Sequence, residues 1–188
     1  MALYTGKGDS GSTKLFTTPS GERLSKSSNV FETLGSIDEL NSFLGICKVR
    51  VQDMDLQLGE TGPTLDHIVH HIQKDLFIIQ AEVAGADKSI VYDKVAEMEH
   101  MIGYMENQMP PIQSFFISGG TEIATLFDTA RTLARRAERR LVTSIELGEV
   151  IVSNHTRAYM NRLSSILYAM ARYSNHELEA IEYMPDYE

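Results

Sequence analysis

The 188 residues, 43% of them hydrophobic, suffice for one domain with its own core and leave little room for two. A net charge of −9 excludes a surface built for nucleic acid or an anionic membrane, since both call for a basic face. A single cysteine, Cys47, allows no intrachain disulfide, and no apolar run reaches the roughly 18 residues of a membrane span, so the expected setting is cytoplasmic.

Residues 1–28 are rich in Gly, Ser, Thr and Lys and lack a sustained period, which reads as an ordered arm with at most a short extended piece. Gly6, Gly8 and Gly11 permit positive φ and close backbone approach, Thr5, Ser10, Ser12 and Thr13 carry hydroxyls, and Lys7, Lys14 and Lys26 carry cations. Bared amides beside cations form anion sites, although a merely flexible terminus has the same composition. The contexts of a Walker A loop and a dinucleotide fingerprint are both missing.

From Asn29 the texture turns helical. Asn29 reads as a cap with Glu32 three positions on, and Phe31, Leu34, Ile37, Leu40, Leu44, Cys47 and Val51 recur at helical spacing, with Cys47 as a small buried hydrophobe. Asp38, Asn41, Ser42 and Gly45 make a second stripe, small and polar, that another chain could approach closely. A polar connection over 52–62 leads to Pro63, placed to open a second helix that ends near Val83. A third helix is expected from Tyr92 to Asn107, stopped by Pro110-Pro111. The segment 112–120 reads as a loop with Phe115 and Phe116 at its middle and a glycine pair at its end.

The fourth helix carries the most ordered charge. At 100° per residue, Ile123, Leu126, Phe127, Ala130, Leu133, Ala134, Ala137 and Leu141 share one arc, which is a core face. Arg131, Arg135 and Glu138 run along the edge of that arc, while Arg136 and Arg140 lie on a third side. Two guanidiniums one turn apart, beside a carboxylate and partly shielded, suit a ligand with several anionic oxygens. The same pattern also fits a solvated face laced by ion pairs. After a turn near Gly148, a fifth helix from about Asn154 to His176 sets Tyr159, Leu163, Ile166, Leu167, Met170 and Tyr173 against Asn161, Ser165, Tyr168 and Arg172 on the opposite side. The expected architecture is an all-α, five-helix up-and-down bundle: an arm over 1–28, helices over 29–177 and a tail over 178–188, in a single domain. Two other classes fit parts of the pattern. Glu97 and His100 form one Glu-x-x-His, with His67, His70 and His71 nearby, but a ferritin-like metal site needs two such motifs plus further inward carboxylates. A plain interaction bundle needs no site at all.

The segments 4-YTGKGDSGST-13, 31-FETLGSIDELNSFLG-45, 119-GGT-121, 130-ARTLARRAERR-140 and 159-YMNRLSSILYAMAR-172 together, and in this order, resemble the PduO-type ATP:corrinoid adenosyltransferases. That resemblance implies a homotrimer with ATP and a corrinoid such as cobalamin bound between subunits, and transfer of the 5′-deoxyadenosyl group to cobalt. It implies that Thr5, Gly6, Lys7, Gly8, Asp9, Gly11 and Thr13 wrap the triphosphate. Lys26, Arg135, Glu138 and Arg139 would hold phosphates, with Glu138 on Mg²⁺, and Asn161 would touch the nucleoside. Asp38 would pair with Arg131 across the subunit boundary, and Phe115 would stand under the corrin ring. A flavoprotein reductase and a cobalamin-dependent enzyme are the implied protein partners. Gly6, Val30, Ile117-Ser118 and Asp128 depart from the commoner pattern, which is also compatible with a corrinoid-binding or delivery module that catalyses slowly.

Overall fold

The computed structural model describes residues 3–114 and 116–186. Five helices carry the chain: α1 (Asn29–Val51), α2 (Leu65–Val83), α3 (Tyr92–Gln108), α4 (Glu122–Glu146) and α5 (Asn154–Glu177). Among the described residues the only strands are β1 (Ser12–Thr13) and β2 (Leu24–Ser25), an antiparallel pair with Ser12 opposite Ser25. The fold is the expected all-α bundle. α1 packs on α2 and on α4, α4 packs on α5, and α5 packs on α3.

The core follows the apolar arcs. Ile37, Leu40, Leu44 and Cys47 of α1 are buried, as are Leu76 and Ile79 of α2 and Leu163, Ile166 and Met170 of α5. Each such Leu or Ile contributes roughly 1.5–3 kcal/mol when fully withdrawn from water. In α4 the buried positions include Ala130, Ala134 and Ala137, whose short side chains let its neighbours come close. Among the described residues no helix is long and apolar enough to cross a membrane.

Several local expectations are corrected. Asn29 does not cap α1; Ser28 stands at that position. Asn29 Nδ2 instead donates to Glu149 Oε1 at 2.8 Å, and the Val30 amide donates to Glu149 Oε2 at 3.1 Å. A full carboxylate outcompetes a neutral side chain at a helix N-terminus, where free amides and the macrodipole favour negative charge. Pro63 lies outside α2, which Thr64 precedes as N-cap, and the Pro63 carbonyl accepts from the Leu58 amide at 3.1 Å. The 52–62 connection is no bare polar link, because Leu56 and Leu58 are buried and plug that end of the bundle. Part of the small polar stripe on α1 is consumed within the chain: Asn41 is buried and its carbonyl accepts from Gln73 Nε2 of α2 at 3.1 Å. α3 stops at Gln108 because Met109, which precedes Pro110, is held extended. Thr121 and Ser153 cap α4 and α5, accepting from Ala124 and Thr156 amides.

Candidate active-site cleft

The charges of α4 divide as their angular positions dictate. Arg136 contacts Glu39, and Arg140 Nη2 lies 3.3 Å from Glu32 Oε1, so this side ties α4 to α1. Both pairs are half in water and are worth at most about 1 kcal/mol each. Arg131 and Arg135 point the other way, into a cleft of about 260 Å³ between α4 and α5 that Phe116, Ser118, Asp128, Ser164, Ser165 and Tyr168 also line. Ligand pockets usually run to roughly 300–1,000 Å³, so this cleft is at or below the small end of that range.

Within the cleft Arg131 Nε donates to Asp128 Oδ1 at 3.0 Å, and its guanidinium carbon lies 5.8 Å from the Tyr168 ring centre. The carboxylate and the ring orient the guanidinium and leave both terminal nitrogens for a ligand. Arg135 is exposed and has neither hydrogen bond nor ion pair among the described residues. Burial pushes the Tyr168 phenol above its ordinary range, with Arg172 pulling the other way, so it stays a neutral donor at the cleft wall.

One turn further along, Asn161 Nδ2 donates to Glu138 Oε1 at 2.9 Å, bringing two of the anticipated residues together. Mg²⁺ bound to nucleotides usually takes one or two carboxylates, with phosphates and water completing the shell. Glu138 suits that partial role, and among the described residues no group of three or more His, Cys, Asp or Glu could hold a metal alone. Arg139 is exposed on α4 and is not among the residues that line the cleft.

The amino-terminal arm forms a second, separate element. Gly6 and Gly11 take φ of 67° and 75°, and the Lys26 amide donates to the Gly11 carbonyl at 2.9 Å. A Cβ at Gly8 would fall 2.9 Å from Lys26 Nζ, so the ammonium rests directly on the backbone there. Thr5, Lys7 and Asp9 are exposed around this turn, and Thr13 is half-buried in β1. The arm lies at the bundle end where α1 starts and α4 stops: the Thr33–Ser144 hydroxyl pair at 2.8 Å joins those two helix ends, and the Phe16 amide of the arm donates to the Ala84 carbonyl beyond α2 at 3.2 Å. Arg131 precedes Glu146, the last residue of α4, by roughly 22 Å at about 1.5 Å per residue. No hydrogen bond or ion pair joins the arm to the cleft among the described residues. Within one copy of the chain the cleft and the arm are therefore separate elements.

The model of the cobalamin adenosyltransferase family matches residues 3–174. The chain belongs to the cobalamin adenosyltransferase family. The corrinoid adenosyltransferase PduO of Citrobacter freundii is 38% identical over 185 residues, which are 94% of this chain and 51% of that protein. The chain thus spans about half the length of that relative. The corrinoid adenosyltransferase of Bacillus subtilis is 34% identical over 93% of this chain and 87% of its own length. A PduO-type ATP:corrinoid adenosyltransferase from Lactobacillus reuteri, solved as a phenylalanine-to-histidine variant complexed with cobalamin and ATP, superposes with a TM-score of 0.84 at 26% identity, covering 99% of this chain and 97% of that one.

Against this family background, Arg131 and Arg135 share the cleft, Glu138 and Asn161 share a hydrogen bond, and Gly8 and Lys26 share the arm. Asp38 is exposed on α1, and the partner Arg131 finds within the chain is Asp128. Phe115 lies outside the described residues; its neighbour Phe116 lines the cleft. The Asp128–Arg131 pair follows the i,i+3 spacing of α4, a local signal that the sequence carries. Arg172, expected on the polar face of α5, is 5% exposed and held by Glu182 of the C-terminal tail. The ferritin-like alternative meets a specific obstacle: the buried Asp75 carboxylate takes Lys94 Nζ at 2.5 Å and the Tyr159 hydroxyl at 3.0 Å, so an ammonium sits where a cation would bind.

Proposed function

We propose that this chain moves the 5′-deoxyadenosyl group of ATP to the cobalt of a reduced corrinoid such as cobalamin, at sites shared between copies of a homotrimer. The observation that carries this reading is the pairing of Arg131 and Arg135 in one cleft while the glycine arm and Lys26 lie at the end where α4 stops, roughly 22 Å along the helix from Arg131. A neighbour's arm closing over the cleft brings two guanidiniums, an ammonium and bared amides around one polyphosphate. In the reaction the electron pair of Co(I) attacks C5′, a Co–C bond forms, the C5′–O bond breaks and triphosphate leaves with that bond's electrons.

The nucleophile comes with the corrinoid, so the protein supplies no general base. Its tasks are to align C5′ with cobalt and to steady charge on the departing triphosphate. Arg135 and Lys26 hold phosphate oxygens, and Arg131 keeps its two terminal nitrogens for phosphate or for the neighbour's Asp38. Glu138, steadied by Asn161, helps to hold Mg²⁺, which when bound neutralises phosphate charge. Phe115 supplies an apolar wall under the corrin. Before the reaction a flavoprotein reductase supplies the electron, and after it a cobalamin-dependent enzyme takes the product.

The test is absorbance with ATP, Mg²⁺ and chemically reduced cob(I)alamin. The expected result is the spectrum of alkylated cobalt with release of one triphosphate per corrinoid. A corrinoid that binds tightly yet stays unalkylated would replace this reading with the delivery module.

A further inference from the structure

The end of α5 makes a set of contacts that transfer chemistry does not itself require. Arg172 is 5% exposed. Its Nε and Nη2 both reach Glu182 Oε2 at 3.1 Å, and its guanidinium carbon lies 4.4 Å from the centre of the Phe116 ring. Glu182 Oε1 accepts in turn from Asn175 Nδ2 at 3.3 Å. Asn175 also grips the loop, donating to the Gly119 carbonyl at 2.9 Å and accepting from the Thr121 amide at 2.9 Å. Gly120, at φ 92°, packs so closely that a Cβ would meet Asn175 Oδ1 at 2.5 Å. The Ile117 amide donates to the Tyr183 carbonyl at 2.8 Å, which ties tail to loop by backbone as well.

Burying an arginine needs a reason, and Arg172 Nη1 is the one buried side-chain polar atom among the described residues with no hydrogen-bond partner. A methionine would fill similar volume without that penalty. What the charge adds is a grip on two pieces that have no helix of their own: the ring of Phe116, through its negative face, and the tail, through Glu182. Phe116 and Ser118 are also part of the cleft wall that holds Arg131 and Arg135.

We infer that Arg172 is a positioning residue: with Glu182 and Asn175 it clamps the 116–120 loop and so sets the shape of the corrinoid half of the cleft. The inference rests on the adenosyl-transfer reading, and it predicts a defect confined to the corrinoid. The experiment compares Glu182→Gln, Arg172→Lys and Arg172→Met with the unaltered chain. It follows KM for cob(I)alamin, KM for ATP, and hydrogen exchange of peptides covering 116–121 and 130–141. In Glu182→Gln, exchange over 116–121 is expected to rise about fivefold while 130–141 keeps its protection. Corrinoid KM should rise about tenfold with ATP KM held within about twofold, Arg172→Met being worse and Arg172→Lys partly rescued. Unchanged exchange over 116–121 in Glu182→Gln overturns the clamp, and so does an equal rise in both KM values. If Arg172→Met does not fold, Glu182→Gln decides. If the unaltered chain forms no alkylated product, the transfer reading fails by itself and the exchange comparison still decides whether the clamp exists.

Discussion

Replacing Arg135 with alanine separates the chemistry of the cleft from its architecture. The side chain is exposed on α4 and holds no ion pair or hydrogen bond among the described residues, so its loss leaves no buried group without a partner. Exposed substitutions of this kind change stability by about 0.5 kcal/mol or less. For a chain of this size that is a shift in Tm of roughly 1–2 °C. If Arg135 meets the charge that builds on departing triphosphate, the same substitution removes one transition-state donor. Such donors are worth about 2.7–4 kcal/mol, or 10²–10³ in kcat. Thermal melting alongside initial rates of alkylated-cobalt formation at saturating ATP reads both quantities. A kcat equal to that of the unaltered chain would refute the reasoning. So would a collapse in Tm, which would make Arg135 a structural residue.

Three further outcomes follow from the same geometry. Asp38→Asn should weaken both assembly and transfer, by about 2 kcal/mol if the Asp38–Arg131 pair is desolvated between copies, with Arg131→Lys milder; unchanged sedimentation and rates in both variants would remove the pair. Glu149→Ala strips the acceptor from Asn29 and the Val30 amide and should cost about 1 kcal/mol, or roughly 2–4 °C in Tm, with no change in kcat once folded; an unaltered melt would show that this capping contact contributes nothing. Burial pushes the Cys47 thiol up to about 12, a backbone hydrogen bond pulling the other way, so a disulfide reagent at pH 8 should label it only after denaturation; rapid labelling of the native protein would contradict its burial.

What the sequence made legible was whatever repeats at a helical period. The α4 charges sorted themselves by angle, and Arg136 and Arg140 indeed face Glu39 and Glu32 of α1 while Arg131 and Arg135 open on the cleft. What it hid was partner choice across long separations. Glu149 reaches α1 from more than a hundred residues away, and no local pattern announces a carboxylate at a distant helix start. Arg172 sits at a polar-face position of α5, and the aperiodic tail that supplies Glu182 buries that one position while Asn161 and Ser165 of the same face stay exposed. Leu56 and Leu58 lie in a polar run too short to show a period, so their burial appears only once Leu65 and Pro63 bond back to that run.

In the proposed reaction polyphosphate is gripped jointly by the α4 guanidiniums of one copy and the glycine arm of another. A crystal structure with ATP and cobalamin bound measures this directly, through the distances from triphosphate oxygens to Arg135 and to the nearest Lys26. Charge-assisted contacts of about 2.7–2.9 Å from both are expected, with Lys26 supplied by a neighbouring copy. Triphosphate bound elsewhere, with Arg135 pointing into solvent, would contradict it.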